Sequence, residues 1–364
     1  MRAAHKGRPV RAAVVGVAGP ALLDEEAALL RAAPPAGVIL FARNVVDPAQ
    51  LRALTDALRR VLPDGAVILV DQEGGRVARL RPPHWRAHPP AALIGALHEE
   101  DPAAGLRAAW LTGALIGLDC AGAGFDVACA PVLDLRVPGA HDVVGDRSFG
   151  PDPAAVARLG RAAAEGLMAA GVQPVGKHAP GHGRARVDSH LELPRIEAGC
   201  SLEADLRAFA ACSDLPWMMT AHILYAGLDP GRPGTLSPLV IGGVIRGRIG
   251  FQGVLVSDDL AMHALSGPPD AASPPSPGSL AARAIEAGCD LALHCTGRSD
   301  STAEVLRLCP ALDAAGRRRL EVARGLAATR RQALDADALA AERDGLLAGP
   351  ACGVAAGAVR DPTA

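Results

Sequence analysis

Three short segments concentrate the side chains able to do chemistry. One is Lys177-His178-Ala179-Pro180-Gly181-His182-Gly183, followed shortly by Asp188-Ser189-His190. The second is Asp71-Gln72-Glu73-Gly74-Gly75-Arg76, and the third is Ser257-Asp258-Asp259-Leu260. Asp188 and His190 stand two apart, so on extended backbone they point the same way. A carboxylate beside an imidazole fixes its tautomer and raises its pKa, which suits a general acid/base. Adjacent Asp258 and Asp259 point in different directions, so one of them is expected to be structural. Gly74 and Gly75 let backbone approach a ligand closely. Only Lys6 and Lys177 are lysines among 37 basic residues, which draws attention to Lys177.

Eight apolar runs could position these groups: Val10–Val17, Gly37–Phe41, Ala66–Val70, Asp126–Leu133, Gln173–Lys177, Trp217–His222, Gly253–Ser257 and Asp290–His294. Helix-like stretches separate them, among them 48–61, 103–118, 153–170, 202–212, 238–248 and 279–287. Continuous apolar strands alternating with helices mean a parallel sheet covered on both faces. The expected fold is α/β, a single (β/α)8 barrel over about residues 10–310 with a helical tail at 311–347. A doubly wound sheet is disfavoured because no Gly-x-Gly-x-x-Gly follows the first strand. The Pro/Ser-rich stretch 266–278 reads as an exposed loop after strand seven.

Catalysis in such barrels sits at the C-terminal strand ends. Those ends carry Arg43 and Asn44; Asp71, Glu73, Arg76 and Arg79; Asp134, Asp146 and Arg147; Lys177, His178 and His182; His222; and Asp258 and Asp259. His84, His88, His98 and His141 fall in loops and are expected to face solvent without partners. The 180–190 loop, polar and glycine-bearing, has little apolar area to bury. It is expected to hold His190 and Asp188 away from Asp258 until ligand binds.

Composition narrows the class. The chain has 364 residues, 49% hydrophobic and 21% charged, with net charge -2, enough for a large core and without a basic field for nucleic acid. With 2% aromatic residues, a base-stacking surface is not expected either. Eight cysteines without a Cys-x-x-Cys pair read as free thiols in a reducing compartment. No apolar run reaches the roughly 20 residues that span a bilayer. A cytoplasmic protein, monomeric and acting on a small molecule, is expected.

VDQEGGRVARL, GDRSFG, GKHAPGHG with VDSH, MTAHI and GVLVSDDL resemble, in order and spacing, the β-N-acetylhexosaminidases of glycoside hydrolase family 3. The likeness runs from about Val38 to His294 and is strongest to the cytoplasmic single-domain bacterial type that recycles peptidoglycan. It implies a barrel without cofactor or metal. It also implies hydrolysis of non-reducing N-acetylglucosamine linked to 1,6-anhydro-N-acetylmuramic acid, with or without peptide. By this resemblance Asp258 is the nucleophile, His190 the proton donor and acceptor, and Asp188 its orienter. Asp71, Arg79, Arg147, Lys177 and His178 bind sugar, with His222 beside them. The family usually has Phe where this chain has Ala179, which implies a missing aromatic wall. Two other readings fit the residues: a metal-dependent barrel hydrolase using His178, His182, His190, His222 and Asp258, and a sugar-binding barrel without turnover.

Overall fold

The computed structural model describes residues 8–189, 192–266 and 274–349. Eight parallel strands form a closed barrel: β1 (Arg11–Gly16), β2 (Pro35–Leu40), β3 (Val67–Val70), β4 (Val127–Ala128), β5 (Gln173–Ala179), β6 (Trp217–Thr220), β7 (Val254–Asp259) and β8 (Leu291–His294). Each pairs with its neighbours in sequence, and β8 closes on β1 through Ala13–Ala292, Val14–Leu293 and Val15–His294. All eight apolar runs therefore became barrel strands. β2, β3, β5 and β6 are buried along their whole length, as a sheet covered on both faces requires.

The helices begin where the sequence punctuates them. Asp47, Asp101 and Asp152 each cap a helix with a carboxylate accepting main-chain N–H bonds, and proline follows each at the first helical position. That pairing meets orphan donors and presets the backbone φ. These helices are α2 (Pro48–Val61), α4 (Pro102–Ala123) and α5 (Pro153–Ala169), with α1 (Asp24–Ala32) and α3 (Ala91–Glu100) between strands as well. A Cβ on Gly113 would lie 2.0 Å from the Ala163 carbonyl oxygen, so glycine is what lets α4 and α5 approach to backbone contact. The 238–248 stretch is a helix of π type, Leu239–Arg248. Three helices were not expected from the sequence, α1, α3 and Ser299–Leu308, each of ten residues or fewer.

The tail forms two further helices, Ala314–Arg330 against α5 and Ala336–Leu347 against α4. A small parallel pair, Arg195–Ile196 with Leu224–Tyr225, lies outside the barrel sheet and was not foreseen. Most of the expected 266–278 loop lies outside the described residues.

Candidate active site

The C-terminal strand ends converge on a cleft of about 340 Å³. Its walls include Asp71, Glu73, Arg79, Arg147, Lys177, His178, His182, Asp258 and Asp259, with Phe41 and Arg43 just beyond β2. Strand order puts β3, which leads to Asp71, directly across the barrel from β7, which ends in Asp258 and Asp259.

The β3 loop is shaped by its own main chain. Gln72 is fully buried; its side-chain oxygen accepts from Arg79 N (2.7 Å) and Leu80 N (3.0 Å), stapling the loop shut. Gly74 and Gly75 take φ of 102° and 56°, a region L side chains avoid. The loop aims Glu73 at two cations. Arg147 grips it with two bonds of 2.8 Å, and Lys177 Nζ lies 2.6 Å from the same carboxylate and 2.9 Å from Asp71. Arg79 lies 3.6 Å from Asp71. Burial works against the Glu73 charge, but Arg147 and Lys177 outweigh it and hold the carboxyl well below its ordinary range. Burial likewise opposes the Lys177 charge, and Asp71 with Glu73 reverses that, raising its pKa.

Asp134, wholly buried beyond β4, organises the β5 motif. It accepts from His178 Nδ1 (2.7 Å), His178 N (3.1 Å) and His182 N (2.7 Å). This fixes Nδ1 as the His178 donor and turns Nε2 toward Arg147, 3.5 Å away. Burial pushes the Asp134 carboxyl up, but His178 and His182 more than compensate and keep it low. His182 is set otherwise: burial, then repulsion from His178, lowers its pKa to about 4, so it stays neutral, with Nε2 3.0 Å from Ser189 Oγ.

On the opposite side, main-chain groups do the holding. Asp259 N donates to Asp258 Oδ1 (2.8 Å), while Ala261 N and Cys295 N both donate to Asp259 Oδ1 (3.0 Å each). Burial raises the Asp259 pKa to about 6. Asp259 is thus tied to the main chain on both sides, beyond β7 and beyond β8.

Several expectations need correction. His222 is buried and does not line the cleft; its ring meets Thr235 Oγ1 (2.8 Å) and the Asp259 carbonyl (2.9 Å), so it supports β7 from behind. Ala179 is buried in the main core and is not a cleft wall, so the missing Phe opens nothing there. His88 and His98 do not face solvent: His88 Nε2 lies 3.0 Å from Asp119, and His98 Nδ1 2.9 Å from the Pro102 carbonyl. His84 and His141 are exposed, but neither stands alone: His84 packs edge-on against Trp85, and His141 Nδ1 accepts from Val143 N.

The loop between Pro180 and Ser189 is also not loose. Ala185 and Ser189 are buried, Tyr225 Oη donates to the Gly181 carbonyl (3.0 Å), and Arg184 meets Asp205 at 2.6 Å. Its polar residues find partners far along the chain, which local apolarity could not reveal. Asp188 is buried and lies in no assigned strand, and its carbonyl accepts from Glu192 N (3.0 Å). His190 lies outside the described residues.

Glu73 and Asp134 are the groups that the sequence reading underweighted. Both stood among the strand-end residues, but nothing local showed that they neutralise Arg147, Lys177 and His178. Among the described residues, no group of three or more His, Cys, Asp or Glu is arranged to hold a metal ion. No helix there is long and apolar enough to cross a membrane.

A closed parallel barrel with paired carboxylates, cations and imidazoles at its C-terminal mouth has the layout of a barrel enzyme. Residues 11–320 match the glycosyl hydrolase family 3 N-terminal domain, and the chain belongs to that family. It is 43% identical over 301 residues to a beta-hexosaminidase of Alkalilimnicola ehrlichii, covering 82% of this chain and 84% of the relative. The beta-hexosaminidase of Aromatoleum aromaticum is 37% identical over 340 residues, 91% of each chain. NagZ from Neisseria gonorrhoeae, solved with N-trifluoroacetyl-D-glucosamine, superposes with a TM-score of 0.80 at 32% identity, covering 94% of this chain and 99% of that one. Within the family, this chain is a glycoside hydrolase of the β-N-acetylhexosaminidase type.

Proposed function

We propose that the enzyme removes terminal non-reducing N-acetylglucosamine from 1,6-anhydro-N-acetylmuramic acid, free or peptide-bearing, in the recycling of peptidoglycan. Asp258 attacks the anomeric carbon while His190, as imidazolium, protonates the departing oxygen. Asp188 orients that imidazole. Water activated by neutral His190 then releases the sugar, so configuration is retained. Asp71, Arg79, Arg147, Lys177 and His178 hold the sugar's hydroxyl groups.

The observation that carries this reading is the opposition of the two cleft walls. An ion-paired wall of Asp71, Glu73, Arg147 and Lys177 faces the β7 end that bears Asp258. A pyranose gripped on the first side presents its anomeric carbon to the second. Ser189, the residue before His190 in the chain, borders the cleft. Free thiols at seven described cysteines, six of them buried, fit a reducing cytoplasm.

The test is covalent. A fluorinated N-acetylglucosaminyl donor that slows the second step should leave one sugar on the protein, and peptide mapping should put it on Asp258. A labelled residue other than Asp258, or inversion at the anomeric centre by NMR, refutes the mechanism.

A further inference from the structure

The cleft cations are not alike. Lys177 is met by Asp71 and Glu73, Arg147 by Glu73, Arg76 by Asp146 at 2.8 Å, and Arg79 lies against Asp71. Arg43 differs. Its Nε donates to the Val17 carbonyl (3.1 Å) and its Nη2 to the Cys295 carbonyl (2.5 Å). Its guanidinium carbon sits 5.1 Å from the Phe41 ring centre. Main-chain oxygens and a ring face fix the fork without cancelling its charge, and among the described residues no carboxylate reaches it within ion-pair distance. Burial, and to a lesser degree Arg79, lower its pKa, while Cys295, Asp259 and Glu26 oppose that only through space. An exposed, rigid, uncompensated guanidinium in a sugar cleft is built to receive an anion.

Its position says which part of the ligand it meets. Arg43 is tied to Cys295 just beyond β8, and Cys295 N in turn holds Asp259 beside Asp258. It is therefore joined through Cys295 to the β7 end that bears Asp258, shares the Phe41 ring with Arg79, and is more exposed than Lys177 and Arg147, which leaves it the cation open to the outer, leaving-group part of a ligand. We propose that Arg43 reads a carboxylate on the leaving sugar, so the enzyme favours a muramyl aglycone whose lactyl carboxylate is free over one whose carboxyl is capped as an amide. This rests on the muramyl substrate proposed above and adds the part of it that is recognised.

The experiment compares two synthetic disaccharides, the free lactyl acid and its N-methylamide, on the wild-type chain and on Arg43→Gln and Arg43→Lys. The wild type should favour the acid by about tenfold in kcat/KM, the scale of one charge-assisted contact at a partly solvated site. Arg43→Gln should erase that ratio, and Arg43→Lys should keep part of it, because charge remains while the fork is lost. Each ratio is taken within one preparation, so a variant that folds incompletely still reports it. A wild type that cleaves acid and amide equally, or a Gln variant with the wild-type ratio, overturns the role of Arg43 and leaves the substrate reading standing. Cleavage of p-nitrophenyl β-N-acetylglucosaminide with neither disaccharide cleaved overturns the muramyl reading, and the Arg43 inference with it.

Discussion

The two walls of the cleft hold their carboxylates by different means. On the β3–β5 side, Asp71, Glu73 and Asp134 are matched by Lys177, Arg147 and His178 side chains. On the β7 side, Asp258 and Asp259 are held by main-chain N–H groups of Asp259, Ala261 and Cys295. Side-chain cations pull carboxyl pKa values down, and Glu73 and Asp134 both lie low. Buried carboxylates met only by neutral dipoles drift up, and Asp259 reaches about 6. One wall is a charged, preorganised grip. The other holds Asp259 near the range where a proton exchanges easily.

The largest effect should come from the β7 wall. Asp258→Ala should lower kcat on p-nitrophenyl β-N-acetylglucosaminide by roughly a thousandfold or more while calorimetry still finds sugar binding. Activity within tenfold of wild type would erase the proposed division between the walls.

Breaking the grip should cost stability as well as affinity. Glu73→Ala leaves Arg147 and Lys177 buried with only Asp71 in contact and Asp134 acting through space to offset them. Removing one partner of a buried ion pair costs about 3 kcal/mol, read by urea unfolding, and KM should rise more than kcat falls. Unchanged unfolding would show that water already shares those charges.

A third experiment uses pH. Folded Asp259 binds its proton near pH 6, and an unfolded Asp does so near 4. Its stabilising contribution is therefore complete below about pH 4 and is lost as pH rises through 6. Glu73, held low, has the opposite sign: its contribution is present above the unfolded carboxyl range and lost as pH falls. Asp259→Asn should abolish the loss of stability between pH 4 and 6 relative to wild type. Parallel wild-type and variant curves across that window would remove Asp259 from the contrast.

The smallest effect should lie outside both walls. Arg343 Nη1 lies 3.2 Å from His88 Nδ1, whose other nitrogen meets Asp119. Arg343→Met should lower stability by about 1–2 kcal/mol and raise KM slightly, with kcat nearly unchanged. A drop in kcat as large as that in the Glu73 variant would mean the grip depends on the tail far more than its contacts suggest.

The barrel was legible because strand and helix identity are local. Alternation of apolar runs with Asp-Pro helix starts needs no knowledge of distant contacts. The strand-end rule then collected every carboxylate, arginine and lysine that lines the cleft. What stayed hidden was partnership. His88 is 31 residues from Asp119 and 255 from Arg343, and Arg184 is 21 from Asp205. A polar loop whose partners lie that far away reads as loose when it is in fact buried. Glu73 was open to the same error, since a helix cap and a buried counter-ion look alike until Arg147 and Lys177 arrive.

The Arg343–His88 contact also orders events in time. His88 O accepts from Gly75 N at 2.9 Å, so the loop that aims Glu73 is backed by the segment that Arg343 clasps. A ribosome delivers residues 72–90 long before residue 343, and β8, which closes the barrel, comes late as well. The sugar grip is written early in the chain but can take its final shape only after residue 343 has been made. A nascent chain halted before the last helix should carry a barrel-like fold with a slack binding loop, and little appetite for sugar.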